Sequence, residues 1–466
     1  MSREVLIIGG GLAGLAAALQ LADAGLRPVI LETRRKLGGR ATSFDDARSG
    51  TVLDNCQHVL MGCCTNLQDL YQRLGVLDSI EWHDTLHWLR PDGGIDSLTP
   101  GRLPAPLHRA GSLLRMKLLD RSSKREVRRA SWSLLRMGTS GRLDWSDCTF
   151  RAWLDAQGQS ERTRTLFWDP IIISACNLSC ERVAAVHGIQ VFQDAFLPSR
   201  FAGSMGLPNV PLRELYDPAE SIIAEVGGSI ELGRSVRSIT IGDDGVEGIV
   251  TNDGPRAAST VISTVPPDRL AKLVPERWVK RDARLAHLDA FETSPILGVH
   301  LLLDAKAFDH PHMVLPGHDV HWIFNKGCNE QGQQHLHAVI SAADDWMELD
   351  EDAIVNRVLD DLHSALPSTV DRTIVNARSV KEKRATFAAT ADIEPKRPAS
   401  GPSTIGVGGG DAQGLFLAGD WCATGWPATM EGAVRSGYLA AEAVCGAGGL
   451  VDDLPPDRLA SLLGSR

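Results

Sequence analysis

The first forty residues alternate between apolar runs and glycine-rich turns, in an order typical of a strand–helix–strand unit. Residues 5–8 form an uninterrupted apolar run, which is typical of a parallel strand buried on both faces. Residues 12–24 are rich in Ala and Leu, which are good helix formers, and Gly25 follows as a helix-ending residue. A second apolar run at residues 29–31 predicts the next strand of the same sheet.

Similar patterns predict elements further along the chain. Amphipathic periodicity predicts a helix over residues 66–77, and a further helix is expected over residues 351–366. Residues 80–100 surround an Asp-Gly-Gly turn and predict a β-meander at the entry to a second domain. Apolar runs bounded by turn residues predict strands at residues 261–265, 296–304 and 415–417.

The glycines between the first strand and the first helix have the spacing of a dinucleotide-binding turn. Gly9 permits the tight turn, Gly11 lets the backbone approach a pyrophosphate, and Gly14 lets helix and strand pack closely. The diphosphate would then lie on the free N–H groups at the start of the helix, at Leu12 and Ala13. This unit predicts an α/β fold with a Rossmann-type nucleotide-binding domain.

Glu32 ends the second strand, eighteen residues after Gly14. Its carboxylate can accept hydrogen bonds from an adenosine ribose, and it would repel a 2′-phosphate, so NADP is disfavoured here. A secretory signal peptide is the rival interpretation of this apolar amino end. Glu4, the fixed glycine spacing and the second strand argue against that rival.

Length, charge and cysteine content narrow the class of protein. At 466 residues the chain is long enough for two domains with sizeable cores. Its net charge of −10 argues against general nucleic-acid binding. The nine cysteines lack paired Cys-x-x-Cys spacing, so we expect reduced, mostly buried thiols and no metal site. No apolar run is long enough to span a bilayer.

A second glycine pair, Gly38-Gly39, is followed by Arg40. The glycines permit unusual backbone angles, and the forked cation of Arg40 suits a phosphate or a flavin. We therefore expect this loop to fold back over the diphosphate. A basic surface turn is the alternative interpretation.

Residues 102–142 differ in charge from the rest of the chain. They contain eleven Lys or Arg residues and only two acidic residues, Asp120 and Glu126, and many apolar residues lie between them. A basic, apolar, helical segment in an acidic protein predicts contact with an anionic membrane surface. The alternative is a solvated helical face whose apolar side lies in the core.

The glycine turn, Glu32 and the Leu37-Gly38-Gly39-Arg40 loop together resemble the amino end of the flavin amine oxidase and phytoene desaturase superfamily. This resemblance implies FAD as the cofactor, which the glycine spacing alone does not distinguish from NAD. It also implies a discontinuous FAD-binding domain with an inserted α+β substrate domain. The implied FAD segments are residues 1–78, 213–270 and 401–466, and the implied substrate segments are residues 79–212 and 271–400.

The resemblance implies roles for residues near both ends of the FAD domain. A strand and turn that run under the flavin ring would place Asp54, Gln57 and His58 near the redox centre. The backbone of Val236 would bond to the adenine. For Asp54, Gln57 and His58, the alternative interpretation is a satisfied polar turn in which His58 caps backbone groups.

The carboxyl-terminal segment carries the second set of implied contacts. Gly419 and Asp420 would meet the ribityl–phosphate region, and the backbone at Thr429 and Met430 would meet the flavin O2 edge. A helix is predicted to begin there, and its dipole would stabilise the negative charge that collects on reduced flavin. Covalent flavin attachment through Cys422 is left open.

The predicted strand at residues 296–304 bears on the chemistry. Amine oxidases of this superfamily usually carry a lysine on the comparable strand, and this segment has none before Lys306. The polar residue within it is His300, which is either a cavity residue or a satisfied core histidine. The candidate catalytic residues are therefore Asp54, His58 and, behind them, His300.

Residues 54–64 and 419–433 look most like the squalene-associated flavoproteins of bacterial hopanoid synthesis. This narrower resemblance implies reduction of hydroxysqualene to squalene with reduced FAD. It also implies a long apolar isoprenoid substrate, a cytoplasmic protein peripheral on the inner membrane face, and neighbouring squalene-pathway enzymes as candidate partners. The alternatives are a carotenoid-type desaturase, a flavin amine oxidase, and a non-catalytic flavoprotein that presents lipid.

Overall fold

The computed structural model describes residues 3–402 and 411–464. Both chain ends and residues 403–410, which belong to the predicted segments 1–78 and 401–466, lie outside the described residues. The strands are β1 Glu4–Ile8, β2 Arg27–Glu32, β3 Ser43–Asp46, β4 Thr51–Asp54, β5 Leu60–Met61, β6 Ile80–His83, β7 Leu86–Leu89, β8 Ile95–Leu98, β9 Met205–Pro208, β10 Ser229–Leu232, β11 Val236–Ile241, β12 Val246–Thr251, β13 Gly254–Ala257, β14 Val261–Ser263, β15 Thr293–Leu303, β16 His312–Val314, β17 Trp322–Cys328, β18 Gln334–Ser341, β19 Ile374–Phe387 and β20 Leu415–Leu417. The α-helices are α1 Leu12–Asp23, α2 Thr65–Arg73, α3 Ala110–Arg115, α4 Arg121–Gly141, α5 Phe150–Ala156, α6 Glu161–Thr163, α7 Asp169–Cys176, α8 Ala185–Gln190, α9 Ala219–Glu225, α10 Pro267–Leu273, α11 Glu276–Arg281, α12 Glu351–Ala365, α13 Met430–Cys445 and α14 Arg458–Leu462.

A five-stranded parallel sheet has the order β10-β2-β1-β14-β20. Leu6 of β1 pairs with Val29 of β2 on one side and with Val261 of β14 on the other. Ile262 of β14 in turn pairs with Phe416 of β20. The five strands come from three separate stretches of the chain. The predicted discontinuous Rossmann-type domain is therefore confirmed, although the exact segment boundaries stay a prediction.

The parallel sheet is covered on both faces, which explains its continuous apolar strands. Val5 and Ile7 of β1 lie in the core that contains α1 and α13. Leu6 and Ile8 lie in a second core under the β11–β13 sheet and α10. Because neither face of β1 meets solvent, no polar position interrupts its apolar run.

The carboxyl-terminal helix α13 packs directly on the amino-terminal helix α1. A Cβ atom at Gly437 of α13 would lie 2.3 Å from the carbonyl oxygen of Ala13 and 2.9 Å from the Cβ of Ala16. Only a glycine at this crossing lets the two helix backbones approach so closely. The contact joins the first and third stretches of the parallel-sheet domain.

A seven-stranded sheet with the order β19-β15-β18-β17-β16-β7-β8 forms the second part of the molecule. Its neighbouring strands are antiparallel except for the β16–β7 pair. Helix α12 covers one face, where Ile354 and Val358 share a core with Ile323 and Val299. Helices from residues 110–190 supply side chains to the core on the other face. The predicted inserted α+β domain is confirmed.

The predicted β-meander over residues 80–100 is wrong at its first strand. Only β7 and β8 pair with each other, whereas β6 joins β9 in a separate sheet, where Trp82 lies opposite Gly206. The reason is that the two neighbouring strands bury their apolar side chains in different cores. Ile80 belongs to the core of the parallel-sheet domain, and Trp88 belongs to the core beneath the seven-stranded sheet.

Some element bounds also differ from the sequence pattern. Helix α2 ends at Arg73 rather than at residue 77, because Gly75 has a φ of 71° and turns the chain out of the helix. Strand β15 begins three residues before the predicted strand and ends one residue earlier. Helix α12 ends at Ala365, one residue before the prediction.

The basic segment at residues 102–142 is helical, as predicted, but most of its apolar residues face inward. Helices α3 and α4 fill most of it, with a kink at Gly138 in α4. Leu114 and Trp132 are 65% and 47% exposed. The buried apolar residues are Ala105, Met116, Leu118, Leu119, Val127, Ala130, Leu134 and Leu135. In the described part of the chain, no helix is both long enough and apolar enough to cross a membrane.

The α1–α13 contact leads to a stability prediction. Replacing Gly437 by Ala should lower the free energy of unfolding by about 1–3 kcal/mol, because the new Cβ forces the helices apart. The measurement is urea denaturation followed by circular dichroism. Gly111→Ala in α3 is the matched control, since a Cβ there meets nothing closer than 3.5 Å. Equal stability of both variants would contradict the packing argument.

Candidate cofactor and active site

The glycine turn after β1 has the geometry of a phosphate-binding turn. Gly9 has a φ of 110°, and a Cβ at Gly14 would lie 2.0 Å from the carbonyl oxygen of Gly9. A Cβ at Gly11, in contrast, would meet no protein atom closer than 3.7 Å. The space beside Gly11 therefore suits a pyrophosphate on the free N–H groups at Leu12 and Ala13, the first residues of α1.

Glu32 ties the end of β2 to this turn. Its carboxylate accepts one hydrogen bond from the N–H of Gly10 and one from the N–H of Arg34, each at 2.7 Å. The carbonyl of Glu32 also accepts from the N–H of Arg234 at 2.8 Å, which brings the start of β11, at Val236, near the nucleotide side of the sheet. Each carboxylate oxygen keeps a second lone pair for a ribose hydroxyl.

The second glycine loop lies on the first one. The N–H of Gly38 donates to the carbonyl of Gly10 at 2.9 Å, and Gly38 and Gly39 both have positive φ, at 95° and 61°. A Cβ at Gly39 would lie 3.1 Å from the Cα of Gly11. The loop therefore folds back over the dinucleotide turn, as the sequence predicted.

Two predicted cofactor residues from opposite ends of the chain bind each other. Arg40 donates through Nη2 to Oδ1 of Asp420 at 2.5 Å and through Nη1 to the carbonyl of Ala385 at 2.9 Å. Asp420 is buried, and Gly419 before it has a φ of 132° and donates its N–H to the hydroxyl of Ser436. The pair positions the Arg40 loop against the turn that follows β20.

Sequence reasoning missed Arg397, which holds the backbone of that turn. Its Nη2 donates to the carbonyls of Asp420 at 3.0 Å and Cys422 at 2.6 Å, and its side chain is 1% exposed. Glu394 accepts from its Nη1 at 3.1 Å with both carboxylate oxygens and balances the buried charge. No motif in the sequence marks this arginine, because the groups it holds are backbone carbonyls more than twenty residues away, at Asp420, Trp421 and Cys422.

Helix α13 begins where the sequence predicted, at the proposed flavin O2 edge. Thr429 caps the helix by accepting the N–H of Gly432 at 3.0 Å, and Met430 is its first residue. Glu431, which sequence reasoning also missed, is buried and accepts from the N–H groups of Asn66 and Leu67 at the start of α2. The helix N-terminus is thereby fixed in place.

Residues 54–58 lie across one face of the seven-stranded sheet. The Nε2 of His300, on β15, donates to the carbonyl of Asp54 at 2.9 Å. The side chain of Asn55 donates to Glu382 of β19 at 3.3 Å, and Lys326 of β17 donates to Oε1 of Gln57 at 3.2 Å. The structure therefore brings together the three predicted catalytic candidates, Asp54, His58 and His300. Their catalytic roles stay predictions.

Burial keeps the two predicted catalytic histidines neutral near pH 7. It lowers the pKa of His300 to about 4 and also lowers the pKa of His58. His58 donates from Nδ1 to the carbonyl of Cys56 at 3.0 Å, which is the satisfied-turn arrangement. His300 stacks on His337 of β18, with ring centroids 3.9 Å apart.

Sequence reasoning also missed Lys326. Strand β15 carries no lysine, as expected, but two strands away in the sheet β17 brings Lys326 to within 3.8 Å of the Asp54 carboxylate. The missing lysine on β15 is therefore no argument against an amine substrate. Only the strand order β15-β18-β17 reveals this lysine, because it lies 26 residues beyond His300 along the chain.

The face of the sheet under residues 54–58 has an apolar and a polar half. The apolar half, called here the apolar patch, consists of Val314, Trp322, Phe324, Val339 and Ile296, which share one core with Cys56 and Val59. The polar half, called the polar patch, consists of His300, His335, His337, Lys326 and Glu382. Residues 54–58 therefore adjoin both an apolar surface and a cluster of polar groups.

Each of the nine cysteines lies in the described part of the chain and is a free thiol. Cys422, the open candidate for covalent flavin attachment, is fully buried, and burial raises the pKa of its thiol. Among residues 3–402 and 411–464, no group of His, Cys, Asp and Glu side chains is arranged to hold a metal ion.

The fold and these contacts define a dinucleotide-binding protein with an inserted seven-stranded sheet that contacts residues 54–58. The family described as flavin-containing amine oxidoreductase matches residues 12–445, and the chain belongs to this family. FAD is accordingly the cofactor. The glycine turn, the Arg40–Asp420 pair and the α13 N-terminus are the parts that would hold its diphosphate, ribityl and ring ends.

Two relatives with different stated activities are similar to this chain over most of its length. The chain is 28% identical over 464 residues to a 15-cis-phytoene desaturase from an Oncidium hybrid cultivar, a match that covers 95% of this chain and 77% of the relative. It is 28% identical over 471 residues to hydroxysqualene dehydroxylase from Rhodopseudomonas palustris, covering 96% of this chain and 100% of the relative.

Among solved structures, an oxidoreductase from Methanosarcina mazei aligns with a TM-score of 0.70 at 18% identity. The alignment covers 96% of this chain and 100% of that one. At this identity the likeness shows the shared fold alone.

The open space at Gly11 leads to a cofactor prediction. Gly11→Val should fold normally, since Gly11 has a φ of −81° that any residue adopts and a Cβ there meets no close protein atom. Its side chain should fill the pyrophosphate space, so the purified protein should be colourless. Flavin absorbance at 450 nm and thermal melting are the two measurements, with Gly111→Val as the matched control. A yellow Gly11→Val protein with normal flavin content would contradict the assignment of the pyrophosphate to this turn.

Proposed function

We propose that this protein reduces hydroxysqualene to squalene, using hydride supplied by reduced FAD. The observation that carries the proposal is the junction of the apolar patch with residues 54–58. Trp322 and Phe324 stack with ring centroids 5.8 Å apart and share one core with Cys56. Apolar and aromatic side chains packed around residues 54–58 suit a hydrocarbon chain with a single polar group.

Aromatic residues extend this apolar core away from the sheet. Phe167 and Phe192 belong to two π-helical turns, Arg164–Trp168 and Val191–Phe196, and their rings lie 6.4 Å apart in the same core as Trp322. Such turns are frequent at functional sites. A continuous apolar region of this kind supports a long isoprenoid substrate rather than a small polar one.

The full-length match favours dehydroxylation over desaturation. The hydroxysqualene dehydroxylase of Rhodopseudomonas palustris is 28% identical and is matched over 100% of its length. The phytoene desaturase of Synechococcus elongatus is matched over 95% of its length at 24% identity, and that of Oncidium over 77% at 28% identity, so the preference is small. A carotenoid-type desaturase remains the second candidate, because the dehydroxylase and the Oncidium desaturase are both 28% identical and the apolar patch suits either substrate.

The proposed reaction is an acid-assisted substitution of hydride for hydroxyl. A proton is added to the allylic hydroxyl, and the C–O bond breaks with its electron pair leaving on water. Reduced FAD, held by the glycine turn, the Arg40–Asp420 pair and the α13 N-terminus, would supply the hydride that the resulting allyl cation needs. The chain contributes the apolar surroundings, which exclude water from the cation. It also contributes the α13 N-terminus, whose dipole stabilises negative charge on the reduced cofactor.

The proposed activity predicts a defined isotope label. Under anaerobic conditions, with deuteride at N5 of the reduced flavin, hydroxysqualene should become squalene with one deuterium at the carbon that lost its hydroxyl. Mass spectrometry of the product is the measurement, and Gly11→Val with the same reduced flavin is the control. Phytoene and an aliphatic amine are assayed in parallel. Unlabelled squalene, or faster turnover of phytoene with an oxidant, would favour the desaturase.

We also propose that the protein binds an anionic membrane surface at the inner face of the membrane, where its substrate and neighbouring squalene-pathway enzymes would be found. Arg121, Arg125, Arg128 and Trp132 follow a four–three–four spacing and lie on one exposed face of α4. Nearby, Lys124 donates to the carbonyl of Leu114, whose side chain is 65% exposed. Basic groups beside an exposed tryptophan suit an anionic bilayer surface.

The basic face of α4 leads to a binding prediction. Replacing Arg121, Arg125 and Arg128 by Gln should weaken binding to phosphatidylglycerol vesicles about 100-fold, since each basic group near such a surface contributes about 1 kcal/mol. Vesicle sedimentation is the measurement. Replacing three exposed cations elsewhere, Arg269, Lys272 and Arg281, is the charge-matched control. Equal loss in both variants would point to net charge rather than to this face.

A further inference from the structure

The titratable groups at residues 54–58 and on the polar patch beneath them include the three predicted catalytic candidates and one cation, and their hydrogen bonds distinguish what each can do. These four are the carboxylate of Asp54, the imidazoles of His58 and His300, and the ammonium of Lys326. The proposed reaction needs one of them to give a proton to the leaving hydroxyl. The donor must carry a proton near pH 7, and that proton must not already be donated in a hydrogen bond to another group of the protein.

Asp54 acts as an acceptor. Its Oδ1 accepts from the hydroxyl of Ser43 at 2.8 Å and from the N–H of Leu212 at 3.1 Å. Its Oδ2 lies 3.8 Å from the Nζ of Lys326. The carboxylate is thus surrounded by donors, and it is buried beneath the segment that would face the substrate.

The two histidines also lack a free proton. A carbonyl oxygen only accepts, so the single ring proton of neutral His300 lies on Nε2 and is donated to the carbonyl of Asp54. Its Nδ1 lies 2.9 Å from Nε2 of His335. Neutral His58 likewise donates from Nδ1 to the carbonyl of Cys56, so its Nε2 is left as an acceptor.

Lys326 differs from all three. Its Nζ carries three donors, of which one bonds to Gln57 and another points toward Asp54 across 3.8 Å. Its backbone is exposed in a bulge of β17, but its side chain turns inward and is 24% exposed. It shares a strand with Trp322 and Phe324 and ends their apolar row, beside residues 54–58.

We propose that Lys326 is the catalytic acid, which protonates the leaving hydroxyl at the junction of the apolar and polar patches. This inference rests on the proposed function. One N–H bond of Lys326 breaks as its proton bonds to the hydroxyl oxygen, and water leaves with the electron pair of the C–O bond. The allyl cation is reduced by hydride from reduced FAD, which is thereby oxidised. The neutral amine of Lys326 regains a proton from solvent through its exposed quarter.

The surroundings of Lys326 tune it for this role. Burial lowers the pKa of its ammonium, and the carboxylate of Asp54 partly opposes that effect. The other titratable groups that interact with it are His300 of β15 and His335 and His337 of β18, whose pKa values are lowered by burial and by the Lys326 charge. Lys326 is therefore the positive charge in a set of otherwise neutral rings.

The first test separates proton donation from charge. Lys326→Met should keep its flavin content and absorption spectrum and lose about 10²–10⁴-fold in dehydroxylation rate. Lys326→Arg should not restore the rate, because a guanidinium keeps its proton at every usable pH. Lys306→Met, at an exposed lysine paired with Asp309, is the control and should keep full activity. Rescue by Arg would make Lys326 a positioning charge and overturn the acid role.

The second test needs no variant. As pH rises through the lowered pKa of Lys326, wild-type turnover of hydroxysqualene should fall, and the fall should begin below the 10.5 of an ordinary lysine. The acetate ester of the same alcohol leaves without a proton, so its turnover should stay level over that range. An identical fall for both substrates would overturn the acid role. An inactive wild-type protein would contradict both the proposed function and the role of Lys326 as acid. Full activity of Lys326→Met would contradict the role of Lys326 alone.

Discussion

The ion pair between Arg40 and Asp420 joins residues 380 positions apart, and the cofactor site depends on it. Asp420 is nearly inaccessible, with its side chain 6% exposed, so its charge is stable there only beside a partner. Arg397 donates hydrogen bonds to the backbone carbonyls of Asp420 and Cys422 in the same turn, and Glu394 balances the charge of Arg397. The first and third stretches of the chain therefore meet at a small network of compensated charges.

The inserted sheet carries an apolar and a polar group of side chains next to each other on one face. Along β17, Trp322 and Phe324 belong to the apolar core, and Lys326 follows them at the bulge. Across the sheet, His300 and Glu382 hold the segment at residues 54–58 by its backbone and by Asn55. The change from apolar to polar side chains thus occurs next to residues 54–58.

Interpretations that rested on local signals agreed with the structure, and those that needed distant contacts were incomplete. The turn at Gly9 and Gly14 follows from steric rules that act within six residues, so the sequence predicted it correctly. The inward-facing apolar residues of α4 did not follow from composition, because composition does not tell which side of a helix is covered. Strand β6 likewise joined β9 rather than β7, because Ile80 and Trp88 are buried in different cores.

By itself, the sequence determined the dinucleotide turn, the strand that leads into it and the start of α13, since each depends on neighbouring residues and on backbone geometry. Only the tertiary structure decided that Arg397 binds the turn after β20 and that Lys326 lies beside Asp54 and Gln57. The physical reason is that strand order and register determine these contacts. Strand order and register both depend on the burial of whole apolar faces. The residues that they bring together therefore carry no local sequence signal of the contact.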